Sequence, residues 1–379
     1  MSLFITILIF LVVLSVLVFV HEFGHFWVAR RLGVKAEEFG FGFPPRIAGF
    51  YKTQEGKWKM VRGNKEVEDA GDTIYSVNWI PLGGFVKIKG EDGSGEQEAD
   101  SFANKKIWKR ASILSAGVIM NVVLAMFLFA LGFMIGLPQA VEGLGDKAHV
   151  EDKKIQIGQV VPDSPADKAG IKAGDILVGV NGRKFENAEE LISFTQGKTG
   201  QELNYKIKRG DETMTKEVTP VTLEETGDPG IGIMPVSTGL VSYPWYLAIW
   251  EGIKTALWLV WAIIVALIGL IKSSIMGESV GAAVGGPVRI ASMVGQYAEM
   301  GFVYLLQLTS LLSVNLAIIN FLPIPALDGG RVLFLAIEKI KGSPVRKEVE
   351  AVAHNIGFIV LILLILLITF NDIINVTGG

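Results

Sequence analysis

The 379-residue chain contains no cysteine and only four histidines. The absence of cysteine excludes a disulfide framework, a thiolate metal site and a cysteine nucleophile. Charged residues are also few, at 19%, and the formal net charge is only -3. Because no basic stripe with interleaved aromatic residues is present, the sequence gives no reason to expect a nucleic-acid partner.

Apolar residues dominate what remains. Half of the residues are hydrophobic and the mean hydropathy is +0.44, which is too apolar for an ordinary soluble enzyme of this length. Five stretches approach the roughly 20 residues that cross a hydrocarbon core. They are Phe4 to Val20, Ala111 to Leu137, Tyr246 to Ile271, Val303 to Leu327 and Ile356 to Phe370. The first lacks the basic start and the cleavage site of a signal peptide, so we expect it to be retained.

The first apolar run leads directly into the pentapeptide His21-Glu22-Phe23-Gly24-His25. Positions i and i+4 share a helix face, so the two histidines can present nitrogens to one Zn²⁺ with Glu22 beside them as a base. The alternative is a set of interfacial residues at a helix end. Ionisable side chains at membrane depth are costly and usually functional, which favours a zinc hydrolase site.

Catalytic zinc typically has three protein ligands and a water, so a third ligand is needed from elsewhere in the chain. Asp328 is the best candidate, because it follows the apolar Val303 stretch at the end of a segment that contains Pro323 and Pro325. The prolines would unravel the helix there, and irregular backbone in a membrane is tolerated only when it is buried or lines a cavity. The alternative is that Asp328 caps a helix starting near Val332.

Basic residues predict the topology. The polar segment between the first two spans is rich in lysine and arginine, so the positive-inside rule places it in the cytoplasm; among these residues are Arg30, Arg31, Lys35, Arg46, Lys105, Lys106, Lys109 and Arg110. The region from about Val141 to Val236 is then extracytoplasmic. Since His25 and Asp328 must meet at the same side, an odd number of crossings separates them. Tyr246 to Ile271 is therefore predicted to be interfacial or re-entrant, which leaves four crossings.

The region from Val141 to Val236 has the pattern of a β-rich domain. Ile155 to Val161 and Asp175 to Val180 indicate strands, Leu203, Tyr205 and Ile207 alternate, and a short helix is predicted at about Asn187 to Thr195. The turn-rich run from Ser164 to Leu177, followed by Val180-Asn181-Gly182, resembles the PDZ family. That resemblance implies a groove in which an extended peptide adds a strand to a sheet edge. The alternative is that these residues only form turns.

A glycine-led strand is predicted from Ile80 to Lys89. Its exposed edge can pair with an unwound substrate segment. The alternative is a surface hairpin packed on itself, since Lys87 and Lys89 alternate with Val86 and Ile88 in either case.

Taken together, the His21 to His25 pentapeptide, the Asn320 to Gly329 motif and the intervening PDZ-like region resemble the site-2 protease family of intramembrane zinc metalloproteases. The nearest branch is the bacterial regulator of sigma-E protease type. The resemblance implies that His21, His25 and Asp328 are zinc ligands and that Glu22 is the general base. The substrate-binding residues that it implies are Asn320, Pro323, Pro325, Gly83, Gly84 and Phe85. One departure is Val118. The family usually has a proline directly after the glycine, which is Gly117 here, and Asn121 follows three positions after Val118.

The predicted fold is a multi-pass α-helical membrane protein of about four transmembrane helices, with a membrane-associated β-hairpin region and one inserted β-rich PDZ domain. The predicted boundaries are 1–35 and 109–138 for the first two helices, 36–108 for the β region, 150–225 for the PDZ domain, 240–298 for the interfacial or re-entrant segment, 300–328 for the third helix, 329–350 for a cytoplasmic segment and 351–376 for the fourth helix. The resemblance places the protein in the bacterial inner membrane, with the PDZ domain outside and the active site toward the cytoplasm. It makes no prediction of oligomeric state.

The function predicted from the resemblance is regulated intramembrane proteolysis of single-pass membrane proteins, such as a trimmed anti-sigma factor or signal-peptide remnants. A catalytically idle scaffold and a metal transporter are the two rivals. The scaffold predicts that Glu22 is dispensable. The transporter predicts further polar ligands along a path, but the spans offer only Asn121, Asn315 and Asn320.

Overall fold

The computed structural model describes residues 2–67, 69–93, 95, 97–145, 147–210, 212–223, 227–276 and 286–377. It divides into two compact units. The helical unit consists of Met1–Leu131 and Ile249–Gly379, and the inserted unit is Gly132–Ala248. Residues 277–285 of the predicted 240–298 segment lie outside the described residues.

In chain order the elements are α1 (Leu3–Arg31), β1 (Ala36–Lys52), β2 (Trp58–Arg62), β3 (Ile74–Ile88), α2 (Ile107–Ile135), β4 (Leu137–Ala140), β5 (His149–Val160), α3 (Pro165–Lys168), β6 (Ile176–Val180), α4 (Ala188–Gln196), β7 (Leu203–Arg209), β8 (Glu212–Val218), β9 (Val221–Thr222), β10 (Pro229–Gly230), β11 (Ile233–Ser242), α5 (Trp245–Ile275), α6 (Pro287–Met300), α7 (Phe302–Phe321), α8 (Asp328–Lys341) and α9 (Lys347–Thr377).

Five of these helices are long and apolar enough to cross a membrane: α1, α2, α5, α7 and α9. Four of them coincide with the four predicted crossings, and α5 is the additional one. The helix α5 continues without a break for 31 residues, from Trp245 to Ile275. That this segment is interfacial or re-entrant stays a prediction.

The helical unit also contains a three-stranded antiparallel sheet in the order β2-β1-β3. Residues 36–41 of β1 pair both with residues 84–88 and with residues 74–77 of β3, because β3 bends back on itself between the two segments. Residues 84–88 therefore have a strand on one side only among the described residues. Their other edge is open, as the predicted strand at Ile80 to Lys89 requires.

One face of this sheet is apolar and exposed. Alternate residues on the paired strands point the same way, and the large side chains on the outer face are Phe41, Phe50, Tyr75, Val77 and Trp79. The opposite face contributes buried residues such as Ile74 and Val61 to a small core. A soluble sheet rarely exposes so many aromatic residues, and Trp and Tyr are the residues enriched at membrane interfaces.

The inserted unit is built on a six-stranded sheet in the order β4-β11-β5-β6-β7-β8. Its core is a cluster of twelve buried residues, nearly all aliphatic, with Tyr205 at its centre. The helix α4 starts where Asn187 caps it, since the side-chain oxygen accepts the Glu190 N–H at 2.8 Å. The strands and the helix that the sequence predicts between residues 155 and 207 are confirmed. The sheet also includes β4 and β11, which lie outside residues 150–225.

Candidate metal centre and active site

The helix α1 places His21 and His25 on one buried face, as the i, i+4 spacing predicts. Their Nε2 atoms lie 3.2 Å apart, and the two side chains are each 8% exposed. The helix runs without interruption from Leu3 to Arg31, so the pair sits two to three turns before its end. Regular helical backbone therefore fixes the spacing of two candidate ligands.

Asp328, from the second sequence segment of the helical unit, lies beside the two histidines. Its Oδ2 lies 3.0 Å from His21 Nε2 and 3.3 Å from His25 Nε2. Asp328 is the first residue of α8, and Leu327 occupies the N-cap position without a side-chain capping bond. The carboxylate is thus turned to the histidines and does not cap the helix, which excludes the capping alternative.

The three donor atoms fit a zinc ion. Zinc bonds of about 2.0–2.2 Å at tetrahedral angles place neighbouring ligand atoms about 3.3 Å apart. The observed separations of 3.0, 3.2 and 3.3 Å are close to that value. Among the described residues, His21, His25 and Asp328 are the histidine and carboxylate group that meets the geometry of a metal site. Two imidazoles and one carboxylate leave one position of a tetrahedral ion open, as a catalytic site requires.

The tautomer of His25 is set by the backbone of α2. Its Nδ1 lies 2.8 Å from the carbonyl oxygen of Ile113, so this nitrogen carries the hydrogen and donates it. The lone pair of Nε2 is then free to point at the metal position. Such a bond behind a metal-binding histidine orients the ring and raises its basicity.

His21 is oriented by Asn121, another residue of α2. The Asn121 side-chain nitrogen lies 3.4 Å from His21 Nδ1, and the Asn121 side-chain oxygen is buried without a hydrogen-bond partner. The oxygen and nitrogen of an amide are assigned from their surroundings, and rotation by 180° gives the oxygen a donor, the Nδ1–H of His21. Ser313 holds this part of α2 by donating its hydroxyl hydrogen to the Asn121 carbonyl at 2.8 Å.

A glycine makes room for both imidazoles. A Cβ on Gly117 would lie 2.4 Å from His25 Nε2 and 2.7 Å from His21 Cε1. Gly24 likewise lets the backbone of α2 come close to α1, because a Cβ on Gly24 would lie 2.5 Å from the Ala116 carbonyl oxygen. The α1–α2 contact is therefore a small-residue interface of the kind that brings membrane helices close together. The helix α2 is unbroken at Val118, so the proline of the family pattern is not needed for this packing.

Glu22 follows His21 directly and is half-buried. In the described part of the chain its carboxylate makes no hydrogen bond. A general base must reach the proton that it takes directly or through one water, and Glu22 is the residue next to His21 on α1.

The segment before Asp328, from the end of α7 through the loop that follows, contains the other predicted residues of this motif. Asn320 lies in the last turn of α7 and is half-buried, and its amide makes no hydrogen bond with any described residue. Pro323 and Pro325 follow in non-helical backbone, as predicted from the loss of two N–H donors. In the described structure these three residues are not part of the group formed by His21, His25 and Asp328.

The start of the open strand edge is attached to α1. The Ser15 hydroxyl accepts the Gly83 N–H at 3.2 Å and donates to the Pro81 carbonyl at 3.2 Å. Gly83 has a φ of +64°, and a Cβ there would lie 2.4 Å from Val18 Cγ1, so only glycine fits. Gly83 and Gly84 thus lie against the same helix that carries His21 and His25, and Phe85 follows them in the strand.

Sequence reasoning missed three contributors to the site: the fit of Gly117, the Ile113 carbonyl, and His354, whose Nδ1 contacts the loop before Asp328. The first two have no sequence signal, because any residue supplies a carbonyl and glycine is common. The signal for His354 was present, since it is one of only four histidines and precedes the last apolar run.

A protein-family model described as peptidase family M50 matches residues 9–62 and 66–364, which is nearly the whole chain. The chain belongs to peptidase family M50. It is therefore a zinc metalloprotease of the site-2 protease family, which confirms the resemblance, the enzyme class and the Zn²⁺ cofactor.

This M50 protease is 31% identical over 393 residues to a putative zinc metalloprotease of Agrobacterium fabrum, with 97% of this chain and 96% of that protein covered. It is 31% identical over 459 residues to protease RseP of Yersinia pestis and 30% identical over 454 residues to the regulator of sigma-E protease RseP of Escherichia coli. Each of these two alignments covers 96% of this chain and 97% of the relative. Because both are longer than 379 residues, the two RseP proteins have segments without a counterpart here.

Part of this M50 protease is also similar to solved PDZ domains. The PDZ domain of an SdrC-like protein from Listeria monocytogenes is 26% identical over 23% of this chain and 92% of that domain, with a TM-score of 0.21. The second domain of a Listeria protein is 30% identical over 23% of this chain and 87% of that domain, with a TM-score of 0.20.

Proposed function

We propose that this M50 protease cleaves single-pass membrane proteins inside the bilayer, near the cytoplasmic side, with Glu22 as the general base. The observation that carries the proposal is the convergence of His21 and His25 with Asp328, next to Glu22. The two histidines lie on α1, and Asp328 follows α7; both of these helices are long and apolar enough to span a membrane. Polar clusters at such depth are costly unless they have a function.

Each residue has a separate chemical task in this proposal. His21, His25 and Asp328 hold the zinc ion, which when bound supplies the Lewis acidity that polarises a peptide carbonyl and acidifies water. Glu22 takes a proton from the attacking water and returns it to the leaving nitrogen. The Ile113 carbonyl and Asn121 keep the two imidazoles oriented throughout, which avoids reorganisation during the reaction.

Cleaving a helix requires that the substrate is first unwound, since each carbonyl within a helix is hydrogen-bonded and screened. We propose that the open edge of residues 84–88 replaces those bonds by adding the extended substrate as a further strand. Gly83, Gly84 and Phe85 begin that edge, and Asn320, with Pro323 and Pro325 behind it, holds the substrate backbone from the other side. The free amide of Asn320 and the unpaired strand edge support these roles.

The proposed setting is a bacterial inner membrane, with four crossings, the PDZ-like domain outside and the active site near the cytoplasm. Because Asp328 meets two residues near the end of α1, α1 and α7 run in the same direction, so an odd number of crossings separates them. The helix α2 supplies one, which supports an interfacial α5. The exposed aromatic face of the β2-β1-β3 sheet supports its association with lipid.

The substrate class proposed is a membrane protein already trimmed by another protease, such as an anti-sigma factor, or a signal-peptide remnant. The Escherichia coli relative is named as the regulator of sigma-E protease RseP, which supports the first of these. The inserted unit is proposed to exclude substrates with bulky external domains. Deleting residues 150–225 should then let an untrimmed substrate be cleaved as fast as a trimmed one, and equal rates already in the wild type would contradict the filter.

The decisive experiment compares the wild type with Glu22→Gln on a fluorescent-tagged single-span substrate in detergent, with zinc content measured in both. We expect the variant to keep its zinc and to lose cleavage by at least 100-fold. The matched control is Glu55→Gln, which alters an exposed glutamate, with a side chain 77% exposed, in the loop between β1 and β2. Equal cleavage by wild type and Glu22→Gln would contradict the proposal and favour the scaffold.

A further inference from the structure

The last helix, α9, reaches the loop that carries Asp328. The Nδ1 of His354 lies 2.8 Å from the backbone nitrogen of Ala326 and accepts its hydrogen. Ala326 is two residues before Asp328. The side chain of His354 is 19% exposed, so the bond forms in a mostly buried place where water does not easily replace it.

A second contact lies on the same face of α9, three residues further along. A Cβ on Gly357 would lie 2.3 Å from the carbonyl oxygen of Pro325 and 2.7 Å from its carbon. Backbone therefore packs directly on backbone at this point, and only glycine permits it. His354 and Gly357 together form the surface of α9 that contacts Pro325 and Ala326.

This contact with α9 matters because few hydrogen bonds within the loop fix its conformation. Pro323 and Pro325 have no N–H to donate, and the two turn bonds within the loop run from Ile324 to Leu322 and from Leu327 to Ile324. Ala326 has a φ of +80°, a conformation that L side chains rarely adopt and that persists only when the surroundings impose it. The bond from Ala326 to His354 is the contact that the Ala326 backbone itself makes with α9, beside the packing of Gly357 on Pro325.

We propose that His354 is a positioning residue of the metal centre: by fixing the Ala326 N–H, it holds the loop so that the Asp328 carboxylate stays at the position of the third ligand. The inference rests on the proposed role of Asp328 as a zinc ligand. It assigns α9 a part in the active site, although no residue of α9 contacts the donor atoms among the described residues.

The hydrogen bond also specifies which atom matters. An Nδ1 that accepts a bond belongs to a neutral imidazole with its hydrogen on Nε2. The amide oxygen of asparagine lies at the same distance along the side chain as Nδ1, whereas that of glutamine lies one bond further, at the place of Nε2. Asparagine at position 354 therefore preserves the acceptor, and glutamine of similar size does not.

The experiment uses the full-length protein in detergent and three variants, His354→Asn, His354→Gln and His354→Leu. Zinc affinity is measured by competition with a graded chelator, kcat and KM are measured on the tagged single-span substrate, and Tm is measured to monitor folding. We expect His354→Gln and His354→Leu to release zinc about 10–100-fold more easily, as when a residue supporting a metal ligand is lost. Their kcat should fall at least tenfold while KM changes less than twofold. His354→Asn should stay within threefold of the wild type.

The control is His149→Gln, which changes an exposed histidine of β5 and should leave zinc affinity and kcat unchanged. A role in packing alone would lower Tm in all three variants and leave zinc affinity untouched, and that result would overturn the proposal. Equal behaviour of His354→Asn and His354→Gln would also overturn it. If His354→Leu fails to fold, the asparagine and glutamine pair decides.

The outcomes separate this inference from the function on which it rests. A wild type that binds zinc and cleaves, together with unchanged His354 variants, overturns the role of His354 alone. A wild type that holds no zinc, or a Glu22→Gln variant that cleaves normally, overturns the proposed function and with it the role of His354.

Discussion

The two units place their large apolar side chains differently. In the inserted unit they collect in one buried cluster, with side chains such as Ile157, Leu203 and Ile207 each at most 2% exposed. The helical unit also buries apolar side chains such as Leu17 and Leu308, but many more of its large apolar side chains face outward, and its helices also meet at small residues such as Gly24 and Gly117. On α9, for example, side chains from Leu363 to Leu367 are mostly about half exposed or more.

The difference teaches which solvent each unit meets. In water, burying a large aliphatic side chain stabilises the fold by about 1.5–3 kcal/mol, so such residues collect inside. Between helices in lipid that driving force is absent, because lipid tails are as apolar as leucine, and close approach of backbones and interhelical hydrogen bonds hold the helices instead. The metal centre depends on the second kind of packing, since the α1–α2 interface positions both histidines.

The largest effect is expected from a substitution that disrupts the small-residue interface at Gly117. In Gly117→Ala the new methyl group would collide with both imidazoles, at 2.4 Å from His25 Nε2 and 2.7 Å from His21 Cε1. We expect loss of bound zinc and a fall in cleavage of more than 100-fold. The control is Gly269→Ala on α5, where no heavy atom lies within 4 Å of the added carbon. Zinc-loaded, active Gly117→Ala would show that the two helices do not pack this closely.

The next effect tests the aliphatic core of the inserted unit. Ile157→Ala removes three carbons from a fully buried site and should destabilise this unit by about 2–5 kcal/mol. Leu367→Ala, on a side chain 67% exposed on α9, should change the stability of its own unit by less than about 0.5 kcal/mol. Hydrogen exchange followed separately for peptides of each unit measures both. Equal losses would contradict the difference in where the two units place their large apolar side chains.

A smaller effect tests the polar contact between α2 and α1. Asn121→Leu removes the partner of His21 Nδ1 and should weaken zinc binding by about 10–100-fold, with little change in Tm. The matched control is Asn315→Leu, since the Asn315 amide donates to the Leu311 carbonyl of its own helix at 3.1 Å. Equal zinc affinity in the two variants would show that Asn121 does not orient His21.

The smallest effect concerns charge in the inserted unit. Burial opposes ionisation of Asp175, but the guanidinium of Arg209, at 2.7 Å, and the Lys172 N–H outweigh it, so the pKa of Asp175 lies below its usual 3.8. A lowered folded-state pKa stabilises the fold above about pH 4, and that stability is lost as the pH falls through the folded-state value. Asp175→Asn should therefore be less stable than the wild type at pH 6.

The difference in stability between the Asp175→Asn variant and the wild type should narrow as the pH falls below about 4 and close below the lowered folded-state pKa of Asp175, where the carboxylate of the wild type is protonated too. Denaturation of the inserted unit followed across that range measures the gap. Glu217→Gln, which changes an exposed residue of β8, is the control and should follow the wild type at every pH. A gap that stays constant with pH would show that the ionised pair does not stabilise the unit.

Local patterns carried much of the prediction because they depend on a few neighbouring residues. The i, i+4 histidines needed only helical geometry, and the strands around residues 155–207 needed only alternation and turn residues. Asp328 was found because zinc requires a third ligand and the two prolines mark irregular backbone. The continuous helix Trp245–Ile275 could not be predicted from the number of crossings, because that number limits where a segment lies in the membrane and does not specify its shape.

By itself the sequence determined a membrane-spanning M50 zinc protease: the pentapeptide from His21 to His25, the aspartate at 328 and the long apolar runs are local features, and local chemistry is enough to name them. Only the tertiary structure decided that Gly117 leaves room for both imidazoles, that the Ile113 carbonyl and Asn121 orient them, and that His354 seats the loop before Asp328. These contacts join residues about 30 to 100 positions apart. No local sequence pattern records which distant residues come into contact.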